Sequence, residues 1–291
     1  MTRKTTMTVE QRRAYSAEMR SQLEAVMDRA YGEMVTSDLA WLEVMRAAAA
    51  LPDRTPTNVM AIAAQRPGAT RVMAVGDWRK IGRYPAKGSS SIRIWTPIKR
   101  RPTDQAEPAT TQGEAPETAQ QAPAGTGRSV SAYKAAPVFD ISQTDGDDCP
   151  PDSAERIPAE RVRDILFAQY VSLYGHEPAA APEAPEAAAQ FLLLSHALRL
   201  IPESEMLASG QYGAEAVSAA HVAALTLGLP GLDTHRPPLA GIVTDDRKPP
   251  VHASALRVIE TGRGIAEAVT LDAIGCDIHA AHEAPELITA G

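Results

Sequence analysis

The chain has 291 residues, a formal net charge of -7 and an aromatic content of only 4%. Its two cysteines, Cys149 and Cys276, are far apart and in no metal-ligand spacing, which argues against a disulfide framework and fits a reducing cytoplasm. No apolar run reaches the roughly 18 residues that a membrane span needs, and no apolar signal segment follows the N-terminus. We therefore expect a cytoplasmic protein without membrane contact.

Positive charge is concentrated in one part of this acidic chain. Between Arg54 and Arg101 there are eleven Lys or Arg residues and a single acid, Asp77, so this segment is formally +10 and the rest of the chain -17. Two of the three tryptophans, Trp78 and Trp95, lie in the same segment. A basic region on an acidic body predicts a polyanionic partner that meets one surface. The alternative is an ordinary solvated face.

The first third of the chain predicts three helices. A capping box at Thr8 and Gln11 opens an amphipathic helix that runs to about residue 34. Ser37 can cap a second helix, which ends near residue 52. Thr57 can cap a third helix over residues 58–65, which stops before a proline.

After these helices the pattern changes to short strands. We expect a strand at residues 71–75, one helical turn at 77–81 and a further strand at 138–141. Residues 102–129 contain no Val, Ile, Leu, Met, Phe, Trp or Tyr. Such a segment cannot bury enough apolar area to offset its ordering entropy, so we predict a disordered insertion over 102–132.

Residues 92–99 alternate with the period of a β-strand. Three isoleucines and Thr96 point to one side, whereas Arg93, Trp95, Pro97 and Lys99 point to the other. If the isoleucine side is buried, the other side displays an indole ring between cations, which is a stacking platform for single-stranded nucleic acid. The alternative is that Trp95 is a core side chain in a sheet covered on both faces.

The second half of the chain predicts helices almost throughout. The expected helices cover residues 158–174, 186–200, 212–227 and 251–274. The predicted fold class is α+β, with N-terminal helices packed on a small β-sheet and a mainly helical C-terminal domain. We place the domains at residues 1–150 and 151–291.

A family resemblance is carried by two segments, PTNVMAIAAQRPGATRVMAVGDWRKIGRYPAKGSSSIRIWTPI and VFDISQTDG. Together they resemble the N-terminal single-stranded-DNA-binding domain of the ArdC-type antirestriction proteins of plasmids and phages. The resemblance implies sequence-independent binding of single-stranded DNA and protection or handling of mobile-element DNA. Ser89, Ser90 and Ser91 stand where the family usually has charged residues, so some phosphate affinity is expected to be lost there.

The predicted DNA-binding residues are cations for phosphate contacts and aromatic rings for base stacking. The cations are Arg66, Arg71, Arg79, Lys80, Arg83, Lys87, Arg93 and Lys99, and the rings are Trp78, Tyr84 and Trp95.

The second half resembles a zinc metallopeptidase-like domain that has lost its H-E-x-x-H site. By similarity, His196 falls on the second histidine, but Leu192 and Leu193 replace the first histidine and the glutamate. Leucine can neither bind zinc nor activate water. We therefore expect no metal, no cofactor and no enzymatic activity.

Two alternatives remain open for the second half. One is a metallopeptidase with unconventional ligands, drawn from His196, Glu215 and His221. The other is a protein-interaction module that binds a host or mobile-element protein while the first domain tethers it to DNA.

Overall fold

The computed structural model describes residues 7–99, 130–149, 156–178, 181–201, 211–232 and 248–275. These residues form eight α-helices and two small antiparallel sheets, which confirms the predicted α+β class with a mainly helical second half. None of the described helices is long and apolar enough to cross a membrane. In chain order the elements are α1 (Val9–Thr36), α2 (Asp38–Ala50), α3 (Pro56–Gln65), β1 (Val72–Met73), α4 (Val75–Lys80), β2 (Arg83–Pro85), β3 (Ile92–Lys99), β4 (Val130–Asp140), a 3-10 turn (Ile141–Gln143), β5 (Thr144–Gly146), α5 (Ala159–Tyr174), α6 (Pro185–Leu200), α7 (Gln211–Thr226) and α8 (Lys248–Ala273).

The first three helices begin where short polar side chains cap them. The capping box at Thr8 is present, and Ser37 caps α2 as predicted. The predicted cap of α3 was wrong by two residues, since Thr55 caps this helix and Thr57 lies inside it. Pro56 takes the first helical position, where a backbone N–H would have no partner within the helix.

The larger sheet has the strand order β1-β4-β3, and the smaller one pairs β2 with β5. Strand β3 occupies the predicted residues, and its register with β4 sets Ile92 opposite Val138 and Trp95 opposite Ala135. Ile92 and Ile94 are buried, as the alternation predicted, but Ile98 on the same side of the strand is exposed. At the start of the sheet, β1 is confined to two residues, because the chain already turns into α4 there.

Strand β4 is longer than the sequence pattern indicated. It begins at Val130, whereas the prediction placed a strand only at residues 138–141. Residues 130–132 of the predicted insertion therefore belong to a strand, because pairing with β3 supplies hydrogen bonds that no local pattern reveals. Residues 102–129 lie outside the described part of the chain.

Two amides of α3 cover the free edge of β3. The side chain of Asn58 accepts from the backbone N–H of Trp95 at 2.8 Å and donates to its carbonyl at 2.9 Å. Gln65 makes the same pair of bonds with the backbone of Arg93, at 2.9 and 2.8 Å. The two side chains stand in for a neighbouring strand, so the edge is closed to pairing with another chain.

The second half forms the four predicted helices, each within a few residues of its expected bounds. One core cluster lies among α5, α6, α7 and α8. The other lies among α1, α2, α3 and the sheet, but it also takes in five residues from the second half: Val222, Val251, Ala255, Val258 and Ile259. The domain boundary near residue 150 stays a prediction, while the apolar packing of the first half extends onto α7 and α8.

Polar contacts join the two halves as well. The indole Nε1 of Trp41 donates to Ser218 Oγ at 3.0 Å, and Tyr31 Oη lies 2.7 Å from His252 Nδ1. The guanidinium of Arg263 on α8 donates to the backbone carbonyls of Ala48, Leu51 and Arg54, at the end of α2 and in the loop that follows it, at 2.6–3.1 Å. Ala48 lies in the last turn of α2, where the helix leaves backbone carbonyls without donors, and a cation at this end also suits the helix dipole.

Candidate nucleic-acid interface

Four of the predicted phosphate contacts have exposed side chains. These are Arg66, Arg79, Lys80 and Lys87. Lys80 Nζ lies 2.6 Å from the carboxylate of Asp77, but both side chains are more than half exposed, so the pair is weak and screened by salt. A phosphate can therefore displace Asp77 from Lys80 with little loss in the stability of the fold.

Two other predicted cations have partners within the fold. The guanidinium of Arg83 is used in three hydrogen bonds, so its assignment as a phosphate contact needs correction, whereas the assignment of Arg71 stays a prediction. Arg83 donates to the hydroxyl and carbonyl of Thr144 at 3.0 and 2.6 Å and to the carbonyl of Asp147 at 2.5 Å, so its guanidinium holds β2 against β5. Arg71 Nη1 lies 2.8 Å from Cys149 Sγ. Both side chains are only partly exposed.

Trp78 was predicted to stack on bases, and the structure contradicts this. Its side chain is fully buried, and its indole Nε1 donates to the carbonyl of Phe139 at 2.9 Å. The ring anchors α4 to β4 and has no face open to a ligand. A buried indole commonly finds such an acceptor for its N–H, which explains why this tryptophan serves the core.

The predicted platform on β3 is partly covered by α1. Trp95 is partly buried and packs against the first core, with the guanidinium carbon of Arg20 lying 5.9 Å from its ring centre. The guanidinium of Arg93 contacts the sulfur of Met19, which is also on α1. The predicted open indole between free cations is therefore wrong, because α1 packs against the side of β3 that carries Arg93 and Trp95. The side chain of Lys99 lies outside the described residues.

Tyr84 is the predicted aromatic residue that does reach solvent. Its side chain is 54% exposed, although the tyrosine is in the middle of β2 opposite Asp145. Three residues further along the chain is the exposed Lys87, at most about 10 Å away even if the backbone is fully extended. An exposed ring and a cation thus occur side by side on one short segment.

The described surface contains an open cavity of about 550 Å³ beside this segment, and its lining is more polar than apolar. Its walls come from α1, the end of α3, the turn that precedes β3, and the 3-10 turn. The lining residues are Arg29, Ala64, Gln65, Arg66, Gly88, Ser89, Ser90, Ser91, Ile92, Ser142 and Gln143. They include two arginines and four serines but no carboxylate, so the cavity is suited to an anion.

The turn that carries the three serines is held by backbone geometry and by one glutamine. Gly88 has a φ of +88°, in the left-handed region that favours glycine. The amide of Gln143 donates to the carbonyl of Ser90 at 2.7 Å and accepts from the backbone N–H of Asp140 at 3.0 Å. The backbone N–H of Ala86 donates to the Gln143 carbonyl at 2.8 Å, which fixes the turn against the end of β4.

The opposite part of the wall is organised by Asp140. Its carboxylate accepts from the backbone N–H groups of Thr70, Arg71 and Ser142 and from the Ser142 hydroxyl, at 2.5–3.1 Å. Burial alone would raise the pKa of Asp140, but these hydrogen bonds outweigh it and hold the pKa below its usual value. The same Ser142 hydroxyl accepts from Arg66 Nη2 at 2.9 Å, which turns this guanidinium towards the cavity wall.

Sequence reasoning missed Arg29 and Ser142 as members of the site. Arg29 lies on a polar face of α1, some sixty residues before the serine turn, and its helical position carries no motif. Only the crossing of α1 over the sheet brings it to the cavity. The expectation that the three serines weaken phosphate binding is modified too, since they share their cavity with two arginines.

The second half does not assemble the alternative zinc ligands. Glu215 is fully buried, and its carboxylate accepts from Arg257 at 2.6 and 2.8 Å, from Gln211 at 3.0 Å and from Ser254. His196 Nε2 lies 3.4 Å from the carbonyl of Leu166 in the second core. Among the described residues, no group of three or more His, Cys, Asp or Glu side chains could hold a metal ion.

Burial lowers the pKa of both His196 and His221. For His196 the charge of Arg199 adds to this effect, and for His221 the charge of Arg46 does so, although a backbone hydrogen bond opposes the shift in each case. Both imidazoles are therefore neutral core groups at neutral pH. This geometry suits packing rather than acid–base chemistry at a surface.

Comparison with known proteins adds no relative: no protein-family model matches the chain, and no curated protein or solved structure is significantly similar to it.

Proposed function

We propose that this protein binds single-stranded DNA without reading its sequence. The observation that carries the proposal is the carboxylate-free cavity with Arg29 and Arg66, which adjoins the exposed pair of Lys87 and Tyr84. Phosphates need cations and hydroxyls, while unpaired bases need an open aromatic face, and the cavity residue Gly88 follows Tyr84 by four positions, at most about 14 Å along an extended backbone.

The chemistry favours a single strand over a duplex. Tyr84 offers a ring on which an unpaired base can stack, and a base in a duplex cannot reach it. The arginines and serines around the cavity can donate to phosphate oxygens, which every nucleotide carries, so contacts of this kind do not depend on the base sequence.

The biological setting of the proposal rests on the resemblance to the ArdC-type antirestriction proteins. We place the binding in the cytoplasm, on mobile-element DNA that enters as a single strand. Contact of the helical second half with a host or mobile-element protein stays a prediction. Exposed apolar side chains at the ends of α5 and α6, Leu173 at 44% and Leu200 at 54%, are compatible with it.

Fluorescence anisotropy of the full chain with labelled oligothymidine and with a duplex of matched length tests the function. We expect Tyr84→Ala to weaken single-strand binding about tenfold, because stacking contributes about 1–3 kcal/mol per base. Tyr15→Ala is the matched control, since Tyr15 is 50% exposed on α1. Equal affinity for single strand and duplex, with no loss in Tyr84→Ala, would contradict the proposal.

A further inference from the structure

We infer that the cavity is a phosphate-binding subsite in which Arg29 and Arg66 bind one phosphate group together with hydroxyls of the serine turn. The inference rests on the proposed function for its biological ligand, but the site itself follows from the charges and contacts of the lining residues.

Arg29 lies on α1 and Arg66 directly follows α3, and neither guanidinium has a strong ion-pair partner among the described residues. Arg29 Nε lies 3.8 Å from the carboxylate of Glu33, with both side chains more than half exposed, so this pair is weak. Arg66 donates one hydrogen bond, to the Ser142 hydroxyl. A guanidinium has five N–H groups in a planar fork, so each arginine keeps donors for a tetrahedral oxyanion.

The serines supply short donors and leave room. Ser89, Ser90 and Ser91 line the cavity; the Ser89 hydroxyl donates to the carbonyl of Gln143 at 3.3 Å, and a serine hydroxyl can rotate to suit another acceptor. A cavity of about 550 Å³ falls in the size range of small-ligand sites and accommodates a phosphate together with part of its sugar. Larger charged side chains on this turn would fill that space.

The walls are held in place before any ligand arrives. Gln143 fixes Ser90, Asp140 fixes Ser142, and Ser142 in turn positions Arg66. Preorganised donors lose little freedom on binding, so more of their interaction energy appears as affinity. The nearest buried carboxylate, Asp140, is already satisfied by four hydrogen bonds.

Phosphate fits this lining better than a carboxylate or an apolar ligand. The cavity offers two guanidinium groups and several hydroxyls as hydrogen-bond donors, which is more than the two oxygens of a carboxylate require. A phosphate has more acceptor oxygens and a higher negative charge. Only Ala64 and Ile92 give the cavity apolar side chains. The phosphate could come from the end of a strand or from its interior, and these sources share the same chemistry.

The test is a titration of the isotope-labelled full chain with inorganic phosphate, followed by NMR at the backbone amides of residues 88–91. We expect saturable shifts there, and about a tenfold or greater loss of affinity in both Arg66→Gln and Arg29→Gln. Arg12→Gln is the control, since Arg12 is an exposed cation on the same helix as Arg29 but outside the cavity. Ser90→Asp places a like charge in the exposed turn and should abolish the shifts without removing any structural contact of Arg66.

Oligothymidines with and without a terminal phosphate, added to compete with inorganic phosphate for the cavity, distinguish the two sources of phosphate. Preference for the phosphorylated strand assigns the cavity to a strand end, and equal competition assigns it to an internal phosphodiester; both support the inference. Shifts that persist in the Arg29→Gln/Arg66→Gln double variant, or that never occur at residues 88–91, would overturn it. If that double variant binds single-stranded DNA with full affinity, the inferred subsite is wrong, while the proposed function stands. If inorganic phosphate binds in the cavity but the chain does not bind single-stranded DNA, the proposed function is wrong and the anion site stands.

Discussion

Gly262 and Gly264 are two residues apart in α8, yet the same substitution should have opposite effects at the two positions. A Cβ at Gly262 would lie 2.6 Å from the carbonyl oxygen of Ala219 and 2.7 Å from the Cβ of Val222 on α7. A Cβ at Gly264 would have no neighbour within 4 Å. In the sequence these glycines interrupt a helical pattern, and the close approach of α7 explains the first of them.

The magnitudes follow from helix propensity and overlap. Alanine is favoured over glycine inside a helix by about 0.8–1 kcal/mol, so Gly264→Ala should raise the free energy of unfolding by up to that amount. At Gly262 the same gain is opposed by overlap with a backbone oxygen that cannot rotate away. Overpacking costs about 1–3 kcal/mol, and contacts of 2.6 and 2.7 Å put Gly262→Ala in the upper part of that range, so after the gain in helix propensity we expect a net loss of up to about 2 kcal/mol.

Urea denaturation followed by far-ultraviolet circular dichroism measures both variants against the unmodified chain. Because each variant adds a single methyl group, the slope of unfolding free energy against urea should stay the same and only the midpoint should move. If Gly262→Ala is as stable as Gly264→Ala, the close packing of α7 on α8 described above is wrong.

Two further predictions concern the stability of the fold. Arg263→Met should lower the free energy of unfolding by about 2–4 kcal/mol, because three backbone carbonyls lose hydrogen bonds from a charged donor; Arg161→Met, at an exposed position on α5, should change it by less than about 0.5 kcal/mol. A small effect of Arg263→Met in urea denaturation would refute the proposed link between α8 and α2. Stability should also depend on His196 and His221, whose pKa values burial lowers in the folded state. Below about pH 6.5 the unfolded chain takes up protons that the folded chain does not, so this contribution is complete above pH 6.5 and is lost as the pH falls towards the folded pKa values. A urea midpoint that rises on acidification from about pH 7.5 to 5.5 would count against neutral buried imidazoles.

Local patterns predicted the elements of this fold well. Capping residues and hydrophobic periodicity located α1, α2 and the four helices of the second half, and the alternation of residues 92–99 located β3 with two of its three isoleucines buried. These features depend on side chains within one or two turns of each other, which is the range that a sequence pattern shows directly. The length of β4 depends instead on its pairing with β3, and it was missed.

The candidate site depended much more on long-range packing. Trp95 and Trp78 carry similar local signals, but α1 covers part of the first and a carbonyl of β4 takes the indole N–H of the second. Arg83 cannot be distinguished by its neighbours in sequence from Lys87, although only Arg83 is used to hold a sheet together. Arg29 joins the cavity through the crossing of α1, which no motif encodes.

The most direct test of the central claim is the salt dependence of binding to single-stranded and duplex DNA by the full chain. Five cations that are exposed or line the cavity, Arg29, Arg66, Arg79, Lys80 and Lys87, can contact phosphates. At about -0.7 per contact, the logarithm of the single-strand association constant should fall against the logarithm of salt concentration with a slope of about -3 to -4. We predict that slope together with tighter binding of the single strand than of the duplex at every salt concentration. A slope near zero, or a duplex bound as tightly as the single strand, would contradict the account.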